Sequence, residues 1–307
     1  MQIFYSDEFV LPLPEGHRFP MAKYRLLREA VVAHPELSGA TLRIPEAASD
    51  EELLRVHSRD YLARVVEGRL ERAQERQVGF PWSPGLVERS RRSVGGTIGA
   101  ARAALTDGTG VNLAGGTHHA FADRGEGFCV FNDVAVAARS LLASGRVRRV
   151  AVVDLDVHQG NGTAAIFSDD PLVFTVSVHG ESNFPFRKEE SDVDLGLPDG
   201  TGDDAFLEAV RHGVRSAREA GRPDLAFYLA GADPYVGDRL GRLAVSKPAL
   251  AERDELVMTE LADRGIPVAV VMAGGYAEPV EDTVAIHLAS VRSAARRADS
   301  TPFPPPR

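Results

Sequence analysis

The sequence is poor in cysteine, in long apolar runs and in positive charge, and each shortage excludes a class of protein. Its single cysteine, Cys129, excludes an internal disulfide. No apolar run is long enough to span a bilayer, and the opening residues MQIFYSDEF lack the basic start and apolar core of a signal peptide. We therefore expect a cytoplasmic protein that has no membrane segment.

The excess of acidic residues argues against direct binding to nucleic acid. The chain has 44 Asp and Glu residues against 35 Lys and Arg, a formal net charge of −9, whereas nucleic-acid-binding domains carry basic patches. A nucleotide-dependent enzyme is also disfavoured, because neither a Walker A motif nor a GxGxxG motif follows a predicted strand. The remaining composition is that of an ordinary globular protein, and 307 residues suffice for one large α/β domain.

The stretch at 150–163, VAVVDLDVHQGNGT, is the most informative part of the chain. It begins with apolar β-branched residues, which are typical of a strand buried on both faces. Asp154, Asp156 and His158 then alternate along the strand end, so their side chains share one face. Two carboxylates and an imidazole are costly to bury without a partner, and a divalent metal ion is the partner that these ligands favour.

Polar residues follow other predicted strands in the same way. Strand, loop and helix alternate along the sequence, which predicts a parallel sheet with helices on both faces. The carboxyl ends of parallel strands meet at one edge of the sheet, where such folds assemble their sites. The further residues expected at this edge are His118 and His119 after a strand at 111–114, Asp233 after a strand at 224–230, and Tyr276 after a strand at 267–272.

Other residues have structural interpretations. His57, between two predicted helices, is better explained as a packed or capping histidine than as a catalytic one, and Cys129 as a buried structural residue. Trp82, on a predicted loop at 76–84, fits packing and a substrate mouth equally well. The segment 181–204 is rich in Gly, Pro and acidic residues and predicts a long loop, which in a compact domain is usually functional.

A family resemblance emerges from the motifs taken together. GGTHHA, GEGFCVFNDVAVAA, VVDLDVHQGNGT, SVH, GADPYVGDRLGRLAVS and AGGYAE occur in this order. They resemble the zinc-dependent histone deacetylase family, and most closely its class IV members and their bacterial relatives. The resemblance covers nearly the whole chain and implies the arginase/deacetylase fold, a three-layer αβα arrangement with a mostly parallel sheet of about eight strands. It implies one catalytic domain over residues 1–307, with a frayed tail at 298–307.

The resemblance assigns roles to the residues at the strand ends. It makes Asp156, His158 and Asp233 the zinc ligands, in agreement with the metal site expected from the residues alone. His118 and His119 match the tandem histidines of the family.

Two residues match the groups that orient these histidines. Asp154 would orient His118, and Asn161 would orient His119. Because an amide carries no charge, His119 should be less basic than a histidine beside Asp. The main departure from the family pattern is Gln159, which replaces a second histidine and is shared by class IV relatives.

The substrate side of the site is matched less completely. Tyr276 matches the tyrosine whose hydroxyl hydrogen-bonds the substrate carbonyl, and Phe128 matches one wall of the acyl-lysine channel. The opposite wall has no evident match, although Phe184 or Phe186 could serve. The glycines expected to line the substrate site are Gly127, Gly274 and Gly275. A potassium ion beside the zinc would be held by Asp154, Asp156, His158, Ser177 and Val178.

The implied activity is hydrolysis of acetyl or longer acyl groups on lysine, in proteins or peptides, by metal-activated water. An acetylpolyamine deacetylase, acting on a small acylated amine, would share every catalytic residue but often carries a channel-narrowing loop, of which there is no clear sign. A non-catalytic acyl-lysine-binding module would be expected to lose Tyr276 or a histidine. A ureohydrolase of the same fold would need a second metal motif. Acyl-chain length, physiological substrate and oligomeric state stay open.

Overall fold

The computed structural model describes residues 1–300 and contains one eight-stranded sheet. The strand order is β2-β1-β3-β8-β7-β4-β5-β6, and every pairing is parallel. The strands are β1 Gln2–Phe4, β2 Thr41–Arg43, β3 Thr109–Asn112, β4 Val150–Asp154, β5 Val173–Gly180, β6 Val193–Leu197, β7 Leu225–Leu229 and β8 Val268–Val271. The sheet therefore confirms the parallel arrangement of about eight strands.

Helices connect the strands and cover the sheet. They are α1 Ala22–Ala33, α2 Asp50–Leu53, α3 Arg59–Val66, α4 Arg72–Val78, α5 Pro84–Asp107, α6 Asp133–Ala143, α7 Asn161–Phe167, α8 Asp203–Glu219, α9 Lys247–Ala262 and α10 Val280–Ser300. Within residues 1–300, none of these helices has the length and apolar content needed to cross a membrane.

The two faces of the sheet bury separate apolar clusters. Along β4, Ala151 and Val153 pack with residues of α1, α8, α9 and α10, whereas Val150 and Val152 pack with residues of α5 and α6. This alternation follows from the two-residue period of a strand. All five residues of β4 are buried, as expected for a strand with helices on both sides. The result is the expected αβα arrangement of three layers.

The long helix α5 lies against the sheet because glycines allow a close approach. Pro84 occupies its first turn, and the Ser83 hydroxyl accepts a hydrogen bond from the Leu86 N–H, as in a standard N-cap. A Cβ atom at Gly99 would lie only 2.6 Å from the ring of Phe4 on β1. The absence of a side chain at Gly99 therefore lets α5 approach the sheet closely.

Three elements differ from the sequence prediction. The expected loop at 181–204 contains the edge strand β6, which pairs with β5, so the prediction of loop throughout was wrong. The short edge strand β2 and the helix α4 were not predicted. The frayed tail expected at 298–307 falls mostly at 301–307, outside the described residues.

Candidate metal and active site

Three ligand-type side chains converge beyond the carboxyl ends of the neighbouring strands β4 and β7. Asp156 and His158 follow β4, and Asp233 follows β7. Their ligand atoms all lie within 4.8 Å of one another. His158 Nδ1 is 2.9 Å from Asp156 Oδ1 and 3.2 Å from Asp233 Oδ2. The structure thus brings together the three residues that the sequence proposed as metal ligands.

The cluster has the features of a cation site. The Nδ1 hydrogen bond of His158 goes to Asp156, and the buried Asp233 Oδ2 accepts no hydrogen bond from the described residues. A buried carboxylate oxygen that accepts no hydrogen bond is costly, and a bound cation would remove that cost. The donor set of one imidazole and two carboxylates suits zinc with open coordination positions.

The ionisation of the metal-free cluster also favours a cation. Burial raises the pKa of Asp233 to about 7, and the negative charge of Asp156 adds to the rise. Burial opposes ionisation of Asp156 as well, but His118 and His158 outweigh it and lower the pKa of Asp156. Burial would lower the pKa of His158, yet its hydrogen bond to Asp156 and the negative charges of Asp156 and Asp233 raise it to about 10. Without metal, His158 therefore holds a proton between two carboxylates.

The tandem histidines lie beside this cluster with their rings 4.1 Å apart, centroid to centroid. His118 Nδ1 is 2.6 Å from Asp154 Oδ2, and His119 Nδ1 is 2.7 Å from Asn161 Oδ1. Both orienting partners are those expected from the sequence. The ring of His119 also meets the ring of His158 edge-on, with centroids 5.9 Å apart.

Different partners give the two histidines opposite ionisation. Burial tends to lower the pKa of His118, but the carboxylates of Asp154 and Asp156 outweigh it and raise that pKa to about 9. Burial lowers the pKa of His119 well below its usual value, and the charges of His118 and His158 lower it further. The expectation of a weakly basic His119 agrees with this direction. At neutral pH His119 is a neutral imidazole beside a protonated one.

Tyr276 closes the other side of the same pocket. Its ring centroid is 6.4 Å from that of His158, and its backbone N–H donates to Asp238 Oδ2 at 2.6 Å. Burial raises the pKa of the Tyr276 hydroxyl, so this group stays protonated. Within residues 1–300 the hydroxyl has no side-chain or backbone hydrogen-bond partner. It is therefore a free donor at the edge of the pocket.

Phe128 and Gly127 form one wall of the pocket, as expected. The ring of Phe128 lies 6.0 Å from that of Tyr276, centroid to centroid. Of the two candidates for the opposite wall, Phe184 packs edge-on against His119 at 4.9 Å, whereas Phe186 is 85% exposed. The structure therefore places Phe184 at the site.

The remaining expected residues have mixed positions. Gly274 lines the pocket, and its N–H donates to Asp156 Oδ2 at 2.7 Å. Gly275 is not among the lining residues, and its carbonyl accepts a hydrogen bond from Lys23 Nζ at 3.3 Å. For the monovalent cation, Asp154 lies directly opposite Ser177 in the β4–β5 register, with Val178 next along β5.

Of the residues with structural interpretations, His57 and Trp82 make structural contacts, and Cys129 is buried at the lining of the pocket. His57 is buried, with Nδ1 3.0 Å from the Phe121 carbonyl and Nε2 accepting from the Asn132 N–H. Cys129 is buried, and burial raises the pKa of its thiol. The indole N–H of Trp82 donates to the Val65 carbonyl, which favours the packing interpretation.

Sequence reasoning missed the aromatic and cationic residues that reach the site from the first helix and the loop before it. Phe19 and Tyr24 line the pocket, and the Phe19 ring lies 5.2 Å from that of Phe128. Lys23 is buried, and its Nζ lies 5.2 Å from the centroid of the Tyr276 ring. The available signal was the cluster of aromatic residues around a lysine in FPMAKY, which is unusual for a solvated helix.

Comparison with known proteins gives consistent matches. The histone deacetylase domain model matches residues 17–291. An uncharacterized protein of Picosynechococcus sp. is 45% identical, covering 93% of this chain and 95% of the relative. The histone deacetylase-like amidohydrolase of Pseudomonas aeruginosa is 33% identical, covering 93% and 80%. A crystal structure of a histone deacetylase homologue complexed with SAHA aligns with a TM-score of 0.78 at 25% identity, covering 94% and 83%.

Proposed function

The chain belongs to the histone deacetylase family, and from this premise we propose that it is a zinc-dependent amidohydrolase that removes acetyl or longer acyl groups from lysine side chains. The observation that carries the proposal is the convergence of Asp156, His158 and Asp233 beside two histidines of opposite ionisation. We place residues 1–307 in a single catalytic domain.

The proposed metal ligands are Asp156, His158 and Asp233. Zinc bound there would polarise the substrate carbonyl and lower the pKa of a bound water. The chain holds these ligands from the backbone: the Val157 N–H donates to Asp233 Oδ1 at 2.9 Å, and the Gly274 N–H donates to Asp156 Oδ2. These bonds fix both carboxylates and leave Asp233 Oδ2 without a hydrogen bond from the described residues.

The two histidines divide the proton transfers. Neutral His119 accepts the proton of the attacking water at Nε2, because its Nδ1 is occupied by Asn161. His118, which Asp154 keeps protonated, stabilises the negative charge that develops beside it and supplies a proton to the departing amine. The Tyr276 hydroxyl donates a hydrogen bond to the oxyanion of the tetrahedral intermediate.

Acylated lysine in a protein or peptide is the proposed substrate class. The net charge of −9 attracts cationic substrates, and the class IV-like motifs extend the proposal to longer acyl chains. A second cavity supports this extension, since it shares Phe19 and Phe128 with the site pocket and continues to Leu86 and Phe131. Its lining also includes Arg89 and the hydroxyl residues Ser90, Ser93 and Thr117. We also propose a structural potassium ion near Asp154 and Ser177.

A deacylation panel tests the proposal. Metal-depleted protein, with and without added zinc, is given acetyl-lysine peptides, long-chain acyl-lysine peptides, and acetylated spermidine and putrescine. We expect zinc-dependent release of the acid, with higher kcat/KM for an acyl-lysine peptide than for either polyamine. Faster cleavage of the polyamines would overturn the lysine assignment. Binding of acyl-lysine peptide without hydrolysis would instead identify a non-catalytic module.

A further inference from the structure

A chain of four side chains runs from the pocket outward. His119 Nδ1 lies 2.7 Å from Asn161 Oδ1, and Asn161 Nδ2 donates to Glu126 Oε1 at 2.5 Å. Gln77 Nε2 donates to the other carboxylate oxygen, Glu126 Oε2, at 2.9 Å. Within the described part of the chain no cation pairs with Glu126. Each carboxylate oxygen of Glu126 therefore accepts a hydrogen bond from a side-chain amide. One of these amides, that of Asn161, also contacts the proposed base, His119.

The carboxylate determines which way the Asn161 amide points. An ionised carboxylate only accepts hydrogen bonds, so the amide NH2 of Asn161 must face Glu126. The amide oxygen must then face His119, and an oxygen can only accept. Nδ1 of neutral His119 therefore carries the ring proton, and Nε2 is left without one. Without Glu126, the amide could turn over and donate to Nδ1, which would place the ring proton on Nε2.

Glu126 is itself held in place by a tight turn. The Cys129 N–H donates to the Glu126 carbonyl, and the two central residues of the turn, Gly127 and Phe128, both have positive φ. Positive φ at both central residues is the pattern of a type I′ turn, which restricts the backbone angles of both residues. Both central N–H groups donate to carbonyls at the end of α4, to Gln77 and Val78. The side chain of Glu126 and the backbone of the two residues that follow it are therefore all bonded to α4.

We propose that Glu126 is a positioning residue that fixes the tautomer of His119 through the Asn161 amide. This inference rests on the proposed role of His119 as the base of an amidohydrolase. The Glu126 carboxylate does not contact the His119 imidazole directly, because Asn161 lies between them. Asn161 is oriented by Glu126 and in turn orients the imidazole, so the charge of Glu126 does not lie next to the ring.

The first test reads the tautomer directly. Zinc-loaded protein labelled with nitrogen-15 in histidine is examined by NMR, and the His119 signals are assigned by their loss in His119→Gln. We expect the Nδ1–H tautomer in the native protein and a mixture of both tautomers in Glu126→Ala. A matched control, Asp123→Ala, removes an exposed carboxylate nearby without contacting Asn161. An unchanged tautomer in Glu126→Ala would overturn the proposal, whether or not the protein has amidohydrolase activity.

The second test compares substitutions of Glu126 in two backgrounds, in which we expect kcat to change in opposite directions. Glu126→Ala should lower kcat roughly tenfold with little change in KM, the size of effect typical of residues that orient other site residues. In an Asn161→Asp background, however, residue 161 accepts from His119 without help, and two carboxylates face each other across a former hydrogen bond. Adding Glu126→Gln to that background should therefore raise kcat. A loss of activity from substitution at 126 in both backgrounds would indicate a merely structural role and refute the proposal.

Discussion

Gly274→Ala is the substitution from which the structure predicts the sharpest loss of metal binding. Gly274 lies beside both carboxylates of the proposed metal site, and these carboxylates occupy the space that a side chain at position 274 would need. A Cβ atom there would overlap Asp233 Oδ2 and would lie 2.6 Å from Asp156 Oδ2. The backbone of Gly274 is not in the left-handed region, so the steric effect falls on the two ligands and is not mixed with backbone strain.

The size of the loss follows from the distances. Carbon and oxygen atoms in ordinary contact are about 3.4 Å apart, so Asp156 Oδ2 must retreat by roughly 0.8 Å. Metal sites tolerate displacements of only about 0.2 Å in a ligand distance. We therefore expect zinc affinity to fall at least about a hundredfold, or roughly 3 kcal/mol. Gly231→Ala should cause a smaller loss, because its Cβ would come no closer than 2.8 Å to Asp156, at both Cα and Oδ2, and 2.9 Å to Asp233 Oδ1.

Zinc affinity is measured by competition with a chelator, and folding by circular dichroism of the metal-free proteins. Gly39→Ala serves as the matched control, because a Cβ at Gly39 would contact nothing within 4 Å. The expected order of zinc affinity is native and Gly39→Ala, then Gly231→Ala, then Gly274→Ala. Native zinc affinity in a folded Gly274→Ala protein would show that Asp156 and Asp233 do not hold the metal.

Three further outcomes are expected. Tyr276→Phe should retain zinc and lose roughly a hundred- to a thousandfold in kcat, as removal of one oxyanion donor does; native turnover would exclude Tyr276 as that donor. Because the metal-free pKa of Asp233 is about 7 and that of His158 about 10, zinc binding should release protons and its affinity should rise with pH from 6 to 8, which calorimetry in buffers of different ionisation enthalpy measures. Asp254→Asn should lower the free energy of unfolding by about 3–5 kcal/mol in chemical denaturation, since it leaves the fully buried Arg253 without its counter-ion; an unchanged unfolding midpoint would contradict this.

The central strands and the convergence of the candidate site residues could be predicted from sequence for the same physical reason. A strand covered on both faces needs an uninterrupted apolar run, so the polar residues that follow it stand out. Parallel pairing then brings separate strand ends to one edge of the sheet, which is why Asp233 could be associated with His158 from 75 residues away.

The edge strands lacked that signal. β6 alternates half-buried and exposed residues, and its Asp194 and Gly196 gave the segment the composition of a loop. β2 has only three residues and buries none of them fully. Their strand conformation comes from pairing with β5 and β1, an interaction that no local pattern encodes.

The side-chain links around the site were also beyond local pattern. Glu126 has the appearance of a surface acid in a glycine-rich turn, and its role depends on the meeting of α4 with the start of α7. The aromatic neighbours of Lys23 in the sequence are a signal that it is not an ordinary surface lysine, but they do not reveal its contact with Tyr276. Lys23 and Tyr276 are more than a hundred residues apart in the sequence, so their contact can be seen only in the folded structure.

The turn at 126–129 has a practical consequence for enzyme engineering. Phe128, the natural position at which to widen the entrance for bulkier substrates, has φ of 66°, a conformation that most side chains adopt only at a cost. Glu126, in the same turn, orients the proposed base His119 through the Asn161 amide. Substitutions at position 128 therefore affect the size of substrate admitted, the stability of the backbone turn and the proposed proton transfer at the same time. Asn, Asp and Gly, which accept such a φ, are the replacements with which a search for broader substrate scope should begin.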